Sequence, residues 1–189
     1  LINTFYGRGE IPVGVVSGGV TPQMLAESRF GKYLPSPNGI HFTQYMARDE
    51  PDATDHEEAV KLLRRVLADQ PDQSVVLIGV GYMTNLARLL DSQPDSASSL
   101  AGRALVSAKV RFLSAMAGNF TSREAREFNL ELDVPAARKV FERWPTPIVV
   151  SGSEVGARLL FPQSAIDRYF NYVDHHPTAQ TNNYAATNY

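Results

Sequence analysis

The sequence contains no cysteine, and this absence excludes several kinds of structure and site. Without thiols the chain has no disulfide framework, no thiolate-bound metal and no cysteine nucleophile. The compartment stays open, because both cytosolic and exported proteins can lack cysteine. The sequence also lacks an apolar stretch of roughly 18 residues, the length of a membrane-spanning helix, so no membrane partner is predicted.

An excess of charge of either sign is also lacking. The 18 lysine and arginine residues and the 20 aspartate and glutamate residues leave a net charge of -2. No nucleic-acid partner is predicted, because surfaces that bind nucleic acid broadly are strongly basic. What is present is an ordinary globular composition, with 43% hydrophobic residues in 189, enough for one sizeable core.

The two ends of the chain differ from the rest. The first residues have the spacing of a helix face, and Gly7 stands where such a helix would stop. Near the other end the hydrophobic periodicity is lost. We predict a single α/β domain over residues 1–176 that is incomplete at both ends, followed by an irregular segment over residues 177–189. The alternative is a short N-terminal helix and a disordered tail.

Short apolar runs alternate with helical patterns along the chain. The runs of strand length are Val13–Val16, Ser74–Val80, Val110–Ala115 and Pro147–Ser151. The first predicted helix is capped by Thr54 or Asp55 and has Glu57 and Glu58 in its first turn. The next two are a helix that carries Leu86, Leu89 and Leu90 and a helix that Pro94 and Asp95 open. Three more are predicted over Pro135–Trp144, with Asp133 near its cap, over Ser153–Leu160 and over Ser164–Val173. This order predicts an open, doubly wound, mostly parallel α/β sheet flanked by helices, with all these runs as neighbours.

Polar residues gather beyond the strand predicted over Val110–Ala115. Asn119 follows that strand, and Glu127 and Asn129 come at the end of the next loop. Two residues apart in an extended chain, the carboxylate and the amide would point to the same side, with Phe128 facing the core. Ligands of open α/β sheets bind beyond the carboxyl ends of strands, and sugar hydroxyls need such mixed donors and acceptors. A sugar site is one interpretation; a capping and loop-bracing network is the other.

Two glycine-rich turns fall short of known motifs. Gly79-x-Gly81-x-x-Thr84 follows a strand but lacks the third glycine of the dinucleotide fingerprint, so a nucleotide-cofactor domain is a weaker alternative. The carbonyl of Val80 would still lie at the sheet edge, where a hard cation could bind it. The second turn lacks the spacing of a nucleophile elbow, and Ser153 is expected to cap a helix there.

Several segments carry a resemblance to a known enzyme family. They are Ile78–Ala87, Met116–Phe120, Glu127–Asn129 and Asp133–Phe141, together with the early residues Asn3–Arg8 and Ile11–Val15. With these segments the chain resembles the inosine-uridine preferring nucleoside hydrolases from its first residue to about residue 162. The sequence E-F-N followed by D-x-P-A-A is the most specific part of the resemblance.

The resemblance implies an N-ribohydrolase that holds a calcium ion on a cluster of aspartates. In such enzymes the ion binds the ribose 2′- and 3′-hydroxyls and a water, which an aspartate deprotonates for attack on the anomeric carbon through an oxocarbenium-like state. Val80 matches a position whose backbone carbonyl is a calcium ligand. Glu127 and Asn129 match ribose-binding residues. Met116 matches a residue under the sugar, and Asn119 matches a further ribose ligand.

The resemblance also indicates departures from the family pattern. The aspartate-rich motif would lie before Leu1 and a later calcium-binding aspartate after Tyr189, so the catalytic base is expected outside this chain. Glu154 stands where many members have aspartate, so the base preference does not transfer. We predict that the complete protein hydrolyses the N-glycosidic bond of ribonucleosides to a free base and ribose through a calcium-bound water. The alternative is a non-catalytic sugar- or nucleoside-binding protein on the same fold, and a homo-oligomer is left open.

Overall fold

A computed structural model describes residue 3, residues 6–19, residues 56–170 and residue 172. The chain falls into two compact units. The larger unit comprises residues 13–32 and 57–159, and the smaller comprises residues 1–12, 33–56 and 160–189. The predicted cap at Thr54 or Asp55 and the irregular segment 177–189 lie outside the described residues. The prediction of one domain over residues 1–176 stays a prediction.

The larger unit alternates strands with helices. In chain order its elements are β1 (Gly14–Val15), β2 (Glu57–Glu58), α1 (Ala59–Ala68), β3 (Val75–Gly79), α2 (Thr84–Asp91), α3 (Gly102–Lys109), β4 (Val110–Met116), α4 (Phe128–Glu131), α5 (Val134–Arg143), β5 (Ile148–Ser151) and α6 (Ser153–Gly156). The described strands pair in parallel: β1 with β2, β3 with β4, and β4 with β5. Helices flank these open parallel sheets, which confirms the predicted α/β fold class.

The first sheet corrects two predictions. Among the described strands, β1 and β2 pair only with each other, so Val13–Val16 does not join the main sheet as predicted. Glu57 and Glu58 form β2 and not the first turn of a helix. The Glu58 carboxylate accepts hydrogen bonds from the amides of Val60 (2.9 Å) and Lys61 (3.1 Å). Because a capping residue keeps an extended backbone, helix α1 starts only after Glu58.

The segment between α2 and α3 is not helical, in contrast to the prediction that Pro94 and Asp95 open a helix. The Asp95 carboxylate accepts hydrogen bonds from the amides of Ala97 (3.0 Å) and Ser98 (3.1 Å) and folds the chain into a local turn. Short acidic side chains stabilise such turns in competition with helices. Helix α3 therefore starts only at Gly102.

Two later helices test the predicted caps. Asp133 caps α5 as predicted, since its Oδ1 accepts a hydrogen bond from the amide of Ala136 (3.2 Å). Helix α6 has a single turn and ends at Gly156, so the prediction of a helix reaching Leu160 is wrong. Its cap is Gly152 and not Ser153.

The core lies on one face of the sheet β3–β4–β5, beneath helices α1, α2, α3 and α5. Its most deeply buried side chains include Leu89, Leu105, Val110, Leu113 and Val140. Strand β4 is the central strand, so its carboxyl end emerges between the ends of β3 and β5. The packing therefore sets the sheet edge at which the predicted site residues leave β4.

The opposite face of this sheet is apolar and exposed. In adjacent register positions Ile78 of β3, Ser114 of β4 and Val149 of β5 lie side by side. The side chains of Ile78 and Val149 are 73% and 54% exposed. Contiguous exposed apolar surface favours association, because burying it removes apolar area from water.

We expect the 189-residue chain to self-associate through this face. Sedimentation velocity should show larger species as the concentration rises, and the double variant Ile78→Lys/Val149→Lys should shift the chain towards monomer, because charged groups resist burial. Val66→Lys is the matched control, since Val66 is an exposed valine of α1, outside the sheet. A monomer at every concentration would contradict the prediction.

The smaller unit contains helix α7 (Gln163–Tyr169), which is shorter than the predicted helix Ser164–Val173 and starts one residue earlier.

Near the start of the chain the amide of Arg8 donates to the carbonyl of Asn3 (2.7 Å), and Gly7 has φ of 67°. Asn3 is helical, and a left-handed glycine with a bond across five residues is the geometry of a helix end, which agrees with the stop predicted at Gly7. In the part of the chain that the structure describes, no helix is long and apolar enough to cross a membrane.

Candidate functional site

The site begins at the carboxyl end of β4, where Gly118 turns the chain. Its φ of 81° is in the left-handed region of backbone conformation, which residues other than glycine rarely adopt. The Gly118 amide donates to the Glu127 carboxylate (3.1 Å), and its carbonyl accepts from the amide of Ser153 (2.9 Å). One turn residue thus ties the loop after β4 both to α4 and to the start of α6.

Glu127 is a buried cap. Its side chain is 7% exposed, and its carboxylate accepts hydrogen bonds from the backbone amides of Gly118 (3.1 Å), Asn129 (2.9 Å) and Leu130 (3.3 Å). This capping starts helix α4 at Phe128, so the predicted extended chain over Glu127–Asn129 is wrong. The loop-bracing interpretation is correct for Glu127. Its contact with a sugar stays a prediction.

Asn129 is also buried, at 6% exposure, and lies against the end of β4. Its Nδ2 donates to the backbone carbonyl of Met116 at 3.0 Å and lies 3.1 Å from the Met116 sulfur. A carbonyl oxygen can only accept, so this contact fixes which way the carboxamide is turned. The Asn129 nitrogen is engaged, and its oxygen is the atom left to accept a hydrogen bond from a ligand.

The structure also places the other two predicted site residues. The Asn119 side chain accepts hydrogen bonds from the amide (3.0 Å) and hydroxyl (2.6 Å) of Thr121, which makes it a turn residue of the loop. Val80 directly follows Gly79, which lies opposite Ala115 in the parallel register of β3 and β4. Val80 and Met116 therefore leave adjacent strands at the same edge, while Asn119 lies further along the loop.

Calcium can be tested against the chemistry of these residues. Calcium takes roughly six to eight oxygen ligands, mostly from carboxylates. Among the described residues, no group of three or more histidine, aspartate or glutamate side chains could hold a metal ion. The carbonyl of Val80 supplies a single oxygen, so the described residues do not form a calcium site by themselves.

An aromatic pair was missed by the sequence reasoning. Phe128 does not face the core as predicted but packs on Tyr82, with ring centroids 5.4 Å apart and planes inclined by 50°. Burial raises the pKa of the Tyr82 phenol above its usual value, so the ring stays neutral near pH 7. The available signal was an aromatic residue two positions after Val80 and another between Glu127 and Asn129.

A second missed contact joins helices α2 and α5. The hydroxyl of Thr84 donates to Oδ2 of Asp133, whose other oxygen caps α5. Thr84 is the first residue of α2, so the contact holds the starts of two helices together behind the site. The two residues are 49 positions apart, and the sequence offered no signal for their pairing.

A cavity of about 870 Å³ lies beside the site. Asn119, Phe120 and Glu127 contribute to one wall, and Val134 and Phe141 of α5 contribute to another. Its described lining includes neither Met116 nor Asn129. The cavity therefore touches the predicted sugar site through Glu127 and Asn119 but does not contain it.

Comparison with known proteins identifies the family. The sequence profile described as inosine-uridine preferring nucleoside hydrolase matches residues 2–188. The chain belongs to this family. This confirms the resemblance seen in the sequence, and the parallel α/β fold agrees with it.

Similar curated proteins carry the name of a nucleoside hydrolase. The chain is 28% identical to the pyrimidine-specific ribonucleoside hydrolase RihA of Salmonella arizonae over 167 residues, which are 88% of this chain and 49% of that protein. It is 32% identical to RihA of Enterobacter sp. over 111 residues, 59% of this chain and 33% of that protein. The chain thus spans about half the length, or less, of these curated nucleoside hydrolases.

Proposed function

We propose that the complete protein is a ribonucleoside hydrolase and that this chain supplies part of its sugar site. The reaction would cleave the N-glycosidic bond and release a free base and ribose. The observation that carries the proposal is the buried pair Glu127 and Asn129 at the carboxyl end of the central strand, in a chain of the nucleoside hydrolase family. The relatives are named pyrimidine-specific, so uridine and cytidine are the first substrates to test.

In this proposal Asn129 accepts a hydrogen bond from a ribose hydroxyl. Its nitrogen is engaged by Met116, so the carboxamide presents an acceptor and selects a ligand group that donates. Burial of the side chain strengthens such a bond, because little water competes for the oxygen. Met116 supplies apolar surface under the sugar, and Asn119 lies further along the loop as a second polar contact.

Glu127 contributes charge as well as a brace. Its Oε2 accepts from two backbone amides, whereas its Oε1 accepts from Asn129 alone. A carboxylate oxygen has about two lone-pair sites, so Oε1 retains one acceptor site for a sugar hydroxyl. A negative charge held at this place also favours the positive charge that develops on the ribose ring as the glycosidic bond breaks.

Calcium remains part of the proposal through the family resemblance. Among the described residues, the Val80 carbonyl is the ligand proposed for the ion. The base and the remaining ligands would be the aspartates that the family resemblance implies. Removal of calcium from the complete protein by a chelator, followed by re-addition, tests this part directly.

The test of the function is ribonucleoside hydrolysis by the complete protein in calcium. We expect wild type to hydrolyse uridine or cytidine and Asn129→Ala to lower kcat/KM by about 5- to 150-fold, the equivalent of 1–3 kcal/mol for a lost hydrogen bond. If the contact tightens as the oxocarbenium-like state forms, the loss appears in kcat as well as in KM. Gln93→Ala is the control, since Gln93 is an exposed carboxamide at the end of α2.

The second candidate is a non-catalytic sugar- or nucleoside-binding protein, because the buried acceptors of Glu127 and Asn129 would bind a sugar whether or not a reaction follows. Calorimetry with uridine distinguishes the two functions. Binding without hydrolysis, in calcium and across a panel of nucleosides, would establish the binding protein, and unchanged kinetics in Asn129→Ala would remove Asn129 from the site.

A further inference from the structure

Helix α4 is the element that carries the proposed sugar contacts, and it has only four residues. A helix of one turn is not stable by itself, so its position depends on what its side chains contact. Two contacts tie it to the end of strand β4 and the turn that follows, those of Asn129 with Met116 and of Glu127 with Gly118. These contacts set its distance from β4 but do not set its distance from β3.

The side of α4 towards the end of β3 is met by Tyr82. The Tyr82 ring lies 5.4 Å from the ring of Phe128 and is tilted by 50° to it. Attractive aromatic pairs have centroid separations of roughly 4.5–7 Å in tilted or offset arrangements, so this is a well-formed contact. Tyr82 is two residues beyond Val80, and Phe128 lies between Glu127 and Asn129.

We propose that Tyr82 is a positioning residue of the sugar site and acts through Phe128. The ring contact holds α4 at a set distance from the turn after β3, which keeps the Asn129 carboxamide in a fixed place for the sugar. This inference rests on the proposed function for its ligand, whereas the coupling of Tyr82 to α4 is a property of the fold alone.

The effect of losing the Tyr82 ring should be confined to α4, because a separate contact holds the neighbouring helix α5. Thr84 donates to Asp133 at the start of α5, and α5 packs against α2 in the core. Loss of the Tyr82 ring should therefore loosen α4 and leave α5 in place. The contact is made by the ring, so Tyr82→Phe should keep it and Tyr82→Ala should lose it.

The first experiment is a double-mutant cycle in the complete protein, with uridine hydrolysis as the measurement. We expect Tyr82→Ala to lower kcat/KM by about ten- to a hundredfold, since small displacements of binding groups have effects of this size. Tyr82→Phe should restore the wild-type value. In a Phe128→Ala background, Tyr82→Ala should have little further effect, because the partner through which it acts is gone. Additive effects of the two substitutions, or equal damage by Phe and Ala, would overturn the proposal.

The second measurement does not depend on activity. Hydrogen exchange of the unliganded complete protein reports the amides of Leu130 and Glu131, which are bonded to Glu127 within α4. Tyr82→Ala should speed their exchange about tenfold or more without changing the amides of α1, and Phe128→Ala should cancel the difference. If wild type hydrolyses no ribonucleoside, the proposed function fails and the exchange cycle alone decides. Unchanged exchange at Leu130 and Glu131 would overturn the positioning role even in an active enzyme.

Discussion

Glu127→Ala is expected to lower the free energy of unfolding by about 3 kcal/mol and to abolish the proposed ribonucleoside hydrolysis of the complete protein. The carboxylate accepts from three backbone amides, and their acceptor disappears with it. A buried amide that has neither an acceptor nor water to bond destabilises the folded state by roughly 1–3 kcal/mol. Helix α4 then loses its cap, and Asn129 loses its fixed place.

Glu127→Gln should also be destabilising, although it keeps the shape of the side chain. The amide of glutamine has one accepting oxygen and one donating nitrogen. Whichever way it turns, its NH₂ group faces at least one of the backbone amides of Gly118, Asn129 and Leu130. We expect a loss of about 1–3 kcal/mol in denaturant unfolding. The substitution therefore changes bracing and charge together.

Glu124→Gln is the matched control for Glu127. Glu124 is a glutamate of the same loop, but its side chain is exposed. The same chemical change there should alter the free energy of unfolding by less than about 0.5 kcal/mol, as exposed substitutions commonly do. Equal stability of Glu127→Ala and wild type would show that the capping bonds do not hold α4.

Arg64→Ala is expected to lower the free energy of unfolding by about 2–3 kcal/mol, because it removes a buried guanidinium and all of its hydrogen bonds. The Arg64 side chain is 2% exposed. Its guanidinium donates to both oxygens of Asp95, to the hydroxyl of Ser92 and to the carbonyls of Ser98 and Leu100, at 2.7–3.1 Å. One side chain of α1 thus fastens the irregular segment between α2 and α3.

The neighbouring residue provides the control for Arg64. Arg65 pairs with Glu57 on the surface, with a side chain that is 49% exposed. Arg65→Ala should change the free energy of unfolding by no more than about 1 kcal/mol, because exposed ion pairs contribute little. Urea unfolding of both variants measures the difference. Similar losses for Arg64 and Arg65 would contradict the assignment of the buried network.

Acid provides a second test of the same network. The hydrogen bond from Arg64 lowers the pKa of Asp95 to about 2, below its usual value near 4. The network therefore stabilises the fold above pH 4, and this contribution is lost as the pH falls from about 4 to about 2. Asp95→Asn should flatten the stability profile in this window.

The strands of the main sheet were predictable because their signal is local. A continuous apolar run between helical patterns marks a strand covered by helices. Strands β3 and β5 lie within such runs, and β4 extends one residue beyond its run. The cap at Asp133 was local too, since it bonds an amide three residues away. Glu58 shows the limit of such local signals, because a glutamate at the start of a helix can lie in its first turn or act as its cap.

The family, the parallel α/β class and the polar cluster beyond β4 all followed from the amino-acid pattern, since periodicity and motif spacing are carried by neighbouring residues. The role of each polar group within that cluster could not be inferred from this pattern. Glu127 faces the amide of Gly118, Asn129 turns its nitrogen to Met116, and Tyr82 meets Phe128. These contacts join residues from 9 to 46 positions apart. Only the folded path of the chain brings such partners together, because a hydrogen bond or ring contact depends on distance and direction in space.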